Sequence, residues 1–141
     1  MGTQPIVEVR GVGKMFDDLV AVRDVDLEVA AGEVVTVVGA SGSGKTTLLR
    51  LIAGLDDPTT GSVVVDGAAP SVARRHKRIG FVPQAPALLP WRTVAANARL
   101  LLDVNRQADD GTQRDPTALL AEVGLAEFAA AYPHELSGGM Q

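Results

Sequence analysis

Ile6-Val7-Glu8-Val9-Arg10 and Val25-Asp26-Leu27-Glu28-Val29 alternate apolar with charged residues, the period-two pattern of strands with one wet face. They predict an opening antiparallel sheet, with a turn at Lys14 to Asp18 between them. Val34-Val35-Thr36-Val37-Val38 is different in kind: a continuous apolar run between Ala31-Gly32-Glu33 and a glycine-serine loop reads as a strand buried on both faces. Thr47 to Gly54 then reads as a helix capped at Gly54. Asp57-Pro58-Thr59-Thr60-Gly61 is a dense turn signal, Val63-Val64-Val65 a strand closing at Asp66-Gly67, and Ile79-Gly80-Phe81-Val82 another strand. Pro83, Pro86 and Pro90 exclude regular structure in the loop that follows, as far as Thr93. Val94 to Val104 is read as helix, with Val94, Ala98, Leu101 and Leu102 near one face. Asn105 to Arg114 is a polar connection. Asp115-Pro116 gives an N-cap and a first helical residue, and Leu119, Leu120 and Val123 form the stripe expected to be buried before Gly124. A second short helix is expected near Ala126 to Ala131.

The chemistry is concentrated where that strand meets that helix. Gly39-Ala40-Ser41-Gly42-Ser43-Gly44-Lys45-Thr46 has the spacing of a phosphate-binding loop, G-x-x-x-x-G-K-[ST], in the strand-to-helix setting the motif requires. Gly42 and Gly44 allow a tight turn with N–H groups directed inward, and the helix start adds its positive dipole end. Lys45 is placed to reach the β- and γ-phosphates, and Thr46 to offer a hydroxyl to a magnesium ion whose other ligands are water and phosphate. The plain alternative is a glycine-rich turn that binds nothing, which the flanking strand and helix disfavour. A second arrangement of hydroxyl and bare backbone, Ser137-Gly138-Gly139, is weaker, because an ordinary loop accounts for it equally well. Leu88, Leu89 and Trp91 lie in the proline-rich loop beside Gln84 and read as an interaction surface, the alternative being a buried Trp91 that anchors the core. Phe16, from spacing alone, reads as core.

Composition narrows the classes. The chain has 141 residues, one domain's worth, and no cysteine, so disulfide frameworks and Cys-ligated metal sites are excluded. A net charge of -4 and a pI near 5.1 argue against broad affinity for nucleic acid. Arg74-Arg75-His76-Lys77-Arg78 is a local basic run, read as a solvated surface segment. The N-terminus has no basic and apolar regions of a signal peptide, and no apolar run approaches the roughly 20 residues that span a bilayer.

Taken together, Gly39 to Thr46, Gln84 after a strand, and Leu136-Ser137-Gly138-Gly139-Met140-Gln141 closely resemble the ATP-binding subunits of ABC transporters. The resemblance implies ATP and Mg²⁺ as cofactors, with Gly39, Ser41, Gly42, Ser43, Gly44, Lys45, Thr46 and Thr47 around the phosphates. It makes Phe16 the aromatic that stacks on adenine, reversing the core preference, and Val22 a neighbouring contact to the base. Gln84 matches the glutamine that touches the magnesium or attacking water and reports to the membrane subunit, so Lys45 and Gln84 are the implied catalytic residues and Thr46 and Gln84 the implied metal contacts. Ser137, Gly138 and Gly139 match the signature that binds the γ-phosphate held by the opposite protomer. The implied partners are transmembrane permease subunits, a second ATP-binding subunit and, indirectly, a solute-binding protein, at the cytoplasmic face of the plasma membrane. Leu88-Leu89-Pro90-Trp91-Arg92-Thr93 further resembles the nitrate, sulfonate and taurine importer branch.

The implied fold is a P-loop α/β domain with an N-terminal antiparallel β subdomain and the start of a helical subdomain, divided as about 5–90 and about 91–141. The resemblance reaches only the first part of the family's domain. No Walker B strand with its magnesium-binding Asp and catalytic Glu follows the signature, and His76 and His134 do not stand where the switch histidine would. The core sheet is therefore expected to be incomplete, with unpaired edges, and the chain alone not to turn over ATP. A nucleotide-binding fragment without hydrolysis is the competing reading. A P-loop kinase or GTPase is disfavoured, because Leu136 to Gln141 has no role there and no N-K-x-D occurs.

Overall fold

The computed structural model describes residues 4–104 and 114–141, so the polar connection expected from Asn105 lies outside the described residues as far as residue 113. The chain divides into two compact units, Met1–Val82 and Pro83–Gln141.

In the first unit β1 (Val7–Phe16) pairs antiparallel with β2 (Leu19–Val29) on one side and with β3 (Thr60–Val65) on the other, giving the order β2-β1-β3. The hairpin turn is Asp17-Asp18 between the paired Phe16 and Leu19, and Asp17 takes a positive φ of 49°, which a short polar side chain tolerates. Both strands are longer than the alternation predicts. The register shifts between Val9 and Val12 and again around Lys14, and each shift changes which face a residue presents, so the period-two signal is lost although the pairing continues. Val9, Val12, Val63 and Val65 point from the sheet into a core closed by Leu48 and Leu51 of α1 (Lys45–Ile52) and by Ala73 of α2 (Pro70–Arg75). Leu51 and Val12 are completely buried. Gly54, at φ 64°, ends α1 as expected. Helix α2 lies where no helix is expected. Pro70 begins it, and Arg74 and Arg75 of the basic run fill its last turn, facing the negative end of its dipole. Arg78 pairs with Asp66.

Two expected strands do not form ladders. Val34–Val38 belongs to no sheet among the described residues, and Val34 is 91% and Val38 87% exposed. Ile79–Val82 is likewise unpaired, with Val82 93% exposed. A strand buried on both faces needs a neighbour on each edge and a layer over each face. The three-stranded sheet provides neither to these segments, so the core sheet is incomplete.

The second unit is helical. Helix α3 (Val94–Ala98) and helix α4 (Leu100–Val104) replace the single helix expected over 94–104. Thr93 caps α3 by accepting from Ala96 N–H at 3.3 Å, and the N–H groups of Val94 and Ala95 donate to the carbonyls of Ala131 and Ala129. Val94 is buried while Leu101 is exposed, so the expected single stripe is not formed. Helix α5 (Pro116–Glu122) starts at Asp115, whose carboxylate accepts from Thr117 N–H at 3.0 Å. Only Pro116 and Leu120 of α5 are buried, one helical turn apart; Leu119 and Val123, also expected in the stripe, face outward. Short 3₁₀ turns follow at Ala126–Phe128 and Pro133–Glu135. Val94, Leu120 and Leu136 form this unit's core.

Candidate nucleotide-binding site

The loop before α1 is shaped by two glycines. Gly42 and Gly44 have φ values of 78° and 84°, a region that side chains disfavour, and a Cβ at Gly44 would collide with the carbonyl oxygen of Ala21 on β2. The loop is thus seated against the second strand by the one residue type that fits there. The first intrahelical bond of α1 is Leu48 N–H to Gly44 O at 2.9 Å, so the N–H groups of Lys45, Thr46 and Thr47 have no acceptor within the helix. No side chain caps them, and no acidic residue occupies the first turn. An anion is what such a terminus accepts.

Lys45 curls back over the loop. Its Nζ donates to Gly39 O at 2.8 Å, to Ala40 O at 2.6 Å and to Ser43 Oγ at 3.3 Å. A Cβ at Gly39 would meet Ser43 Oγ at 2.7 Å, so that glycine keeps the lysine's path clear. Ser41 and Ser43 are exposed on the loop, and Thr46 is exposed at the first turn of α1. Among the described residues no three His, Asp or Glu side chains cluster to hold a metal. The exposed Thr46 hydroxyl is an oxygen that a magnesium ion, which keeps several waters and phosphate oxygens, could take as one ligand.

Phe16 is 44% exposed at the end of β1, not buried. It lines a cavity of about 290 Å³ together with Leu19, Val20, Ala21 and Gly42 to Thr47, so the aromatic and the phosphate loop share one space. Val22, expected beside the base, does not line it. Its side chain is buried in the sheet core and borders an adjoining cavity of about 580 Å³, which also has Val37, Val38, Ser43, Gly44 and Lys45 in its wall. Leu19, Val20 and Ala21 line this cavity without having been expected there. The signal for them is the hairpin itself, which brings Leu19 opposite Phe16. Neither cavity is lined by an aspartate or glutamate.

Gln84, Ser137, Gly138 and Gly139 belong to the second unit and are exposed. Gly138 and Gly139 have open space where a Cβ would stand, and Ser137 O accepts from Met140 N–H at 2.9 Å to close a turn. Trp91 is 71% exposed, which excludes the buried-anchor reading. Its loop is held by Asn97, whose Oδ1 accepts from Leu89 N–H at 2.7 Å while its Nδ2 donates to the carbonyls of Leu89, Arg92 and Thr93 at 3.0 to 3.1 Å.

A glycine-shaped loop, a bare helix start and a lysine directed back over both define a phosphate-binding loop of the nucleotide-binding type. The chain belongs to the ABC transporter family, whose profile matches residues 22–141. It is 44% identical over 128 residues to the aliphatic sulfonates import ATP-binding protein SsuB 1 of Xanthomonas axonopodis pv. citri (strain 306), covering 90% of this chain and 50% of that protein. It is 42% identical over 137 residues to the spermidine/putrescine import ATP-binding protein PotA of Nitrosomonas eutropha (strain DSM 101675 / C91 / Nm57), covering 96% of this chain and 38% of that protein. Among solved structures it superposes with a TM-score of 0.77 on a dimeric ATP-binding cassette in a post-hydrolysis state bound to ADP and Pi, at 36% identity, covering 95% of this chain and 64% of that one. The chain spans about half the length of the sulfonate relative it matches. The resemblance drawn from Gly39 to Thr46, Gln84 and Leu136 to Gln141 is borne out, and the fold is part of an ABC ATPase nucleotide-binding domain.

Proposed function

We propose that this chain binds ATP on the loop Gly39 to Thr46 and belongs to the ATP-binding subunit that energises an importer of a small solute such as nitrate, a sulfonate or taurine. The observation that carries the reading is the uncapped start of α1 with Lys45 folded over the loop. The ammonium exchanges loop carbonyls for phosphate oxygens, the N–H groups of Gly44 to Thr47 take up the anion, and Phe16 receives the base in the shared cavity. Magnesium bound with the nucleotide would add positive charge opposite the phosphates, with the Thr46 hydroxyl among its ligands. The sulfonate relative supports the solute class, while the polyamine relative, almost as similar, supports the ATP-binding role common to both.

Gln84 is assigned to the link between nucleotide and permease, and Ser137, Gly138 and Gly139 to the nucleotide of a second copy. Their exposure, with no Cβ to shield the backbone N–H groups at the two glycines, supports a role completed by a partner. The exposed Trp91 beside Gln84 is assigned to the permease surface. A peripheral place at the cytoplasmic membrane face follows from that partner. No helix among the described residues is long and apolar enough to cross a membrane.

One observation favours the second reading, binding without hydrolysis. Phosphoryl transfer to water needs a group that orients the water, and no carboxylate lines either cavity at the loop. Calorimetric titration of Mg-ATP into the chain, with phosphate release followed in parallel, separates the readings. Heat of binding that Lys45→Ala removes, without phosphate release, is the outcome expected of the chain by itself. Unchanged ATP affinity in Lys45→Ala refutes the assignment of the loop, and steady release above that variant refutes the non-hydrolysing reading.

A further inference from the structure

Phe16 stands at the end of a two-residue hairpin, nearly half exposed, and such a ring is free to change rotamer unless something holds it. Lys14 lies two residues earlier on the same strand, where the pairing with β2 shifts register. Its ammonium sits over the Phe16 ring, 5.0 Å from the centroid. It is not a freely moving lysine. Nζ donates to the carbonyl of Asp57 at 2.8 Å, the backbone next to it is tied by Met15 N–H to Thr59 Oγ1 at 3.0 Å, and Thr59 N–H returns to Gly13 O at 2.8 Å. The turn after α1 thereby fixes the ammonium, and the ammonium fixes the ring.

The two side chains also face different spaces. The cavity that Phe16 shares with the phosphate loop does not include Lys14, while Lys14 lines a separate cavity with Thr59 and Thr60. The cation lies over one face of the ring, and the cavity that the ring itself lines is the one bordered by the loop. A cation on one face draws on the ring's negative quadrupole, which leaves the opposite face less electron-rich and better suited to an electron-rich purine.

We propose that Lys14 is a positioning residue for nucleotide binding, which holds Phe16 by one face and presents the other to the base of a nucleotide whose phosphates lie on the loop. This rests on the reading of Gly39 to Thr46 and Phe16 as the nucleotide site. Lys14 touches no phosphate in this arrangement, so its effect is confined to ligands that have a base.

The test measures Mg-ATP and inorganic tripolyphosphate by calorimetry on the full chain and on Lys14→Gln, Lys14→Arg, Phe16→Leu and the Lys14→Gln/Phe16→Leu double variant, each checked for folding by circular dichroism. Glutamine can still donate toward Asp57 O but has no charge. Lys14→Gln is expected to weaken ATP about two- to fivefold, the range of an exposed cation–ring contact, and to leave tripolyphosphate unchanged. Lys14→Arg should restore ATP affinity, and in the Phe16→Leu background Lys14→Gln should have no further effect. Equal loss for both ligands would make Lys14 a general cation and overturn the proposal, as would ATP affinity unaltered in Lys14→Gln while Phe16→Leu weakens it. A silent Phe16→Leu would overturn the base-stacking reading itself, and the proposal with it.

Discussion

Two glycine-serine turns in one chain differ in what they can do unaided. At Gly39 to Thr46 the glycines are demanded by the protein: Gly44 has a left-handed φ and lies hard against Ala21, and the lysine and the helix start converge on one cavity. At Ser137 to Gly139 nothing in the protein demands glycine. Neither Gly138 nor Gly139 has a positive φ, and both border open space. The first turn is a site already built by its own unit. The second is exposed and uncrowded among the described residues, which suits the proposed role at the nucleotide of another copy. Glycine therefore has two meanings in this chain, a fold constraint in one place and surface clearance in the other.

The comparison can be broken most directly at Lys45. Lys45→Ala removes the charge that now contacts Gly39 O and Ala40 O, and calorimetry should show ATP affinity falling at least about hundredfold, the loss of two charge-assisted contacts. The glycines sharpen it. Gly44→Ala forces a Cβ into a left-handed, crowded position and should cost about 1–3 kcal/mol in a thermal or denaturant melt of the first unit. Gly138→Ala should change stability by no more than about 0.5 kcal/mol and leave ATP binding as it was. A large loss at Gly138 would erase the distinction. Trp91→Ala should leave the fold intact by circular dichroism and reduce capture of a permease subunit. Asn97→Ala should reduce that capture too, by releasing the loop that presents the tryptophan.

The smallest effect is acid sensitivity. The Asp56 carboxyl is held below its ordinary value, chiefly by the hydrogen bond from Arg50 at 2.6 Å, with Arg50 and Lys14 charges assisting against some burial. A lowered carboxylate pKa stabilises the fold above the ordinary value of about 4, and that contribution is lost as pH falls through the folded-state pKa. Melts of the native chain should therefore show a slight loss of stability below about pH 4 that Arg50→Ala lacks.

The shape of the loop Gly39 to Thr46 was legible because it is local: spacing, glycine placement and the following helix are all written within a dozen residues. The resemblance found the family for the same reason. What was not legible depends on partners far away in sequence. Val34–Val38 has the composition of a buried strand, but a ladder needs neighbours that the three-stranded sheet does not provide. The extension of β1 to Phe16 was hidden by bulges that scramble alternation, and the break at Arg99 by a helical pattern that continues smoothly through it in sequence. Val22 was placed beside the base by analogy; its side chain is buried in the sheet core and also borders the loop, while Leu19, Val20 and Ala21 line the cavity with Phe16.

The bonds that Lys45 already makes bear on affinity. An empty loop rich in glycine would ordinarily collapse or fluctuate, and a ligand would bear the cost of ordering it on every arrival. Here the ammonium holds the loop by three of its own oxygen atoms, so binding at the proposed site would exchange acceptors rather than order the loop. The same three oxygens compete with a phosphate for the ammonium, so at the proposed site the gain from each new contact of Lys45 is offset by the bonds it gives up.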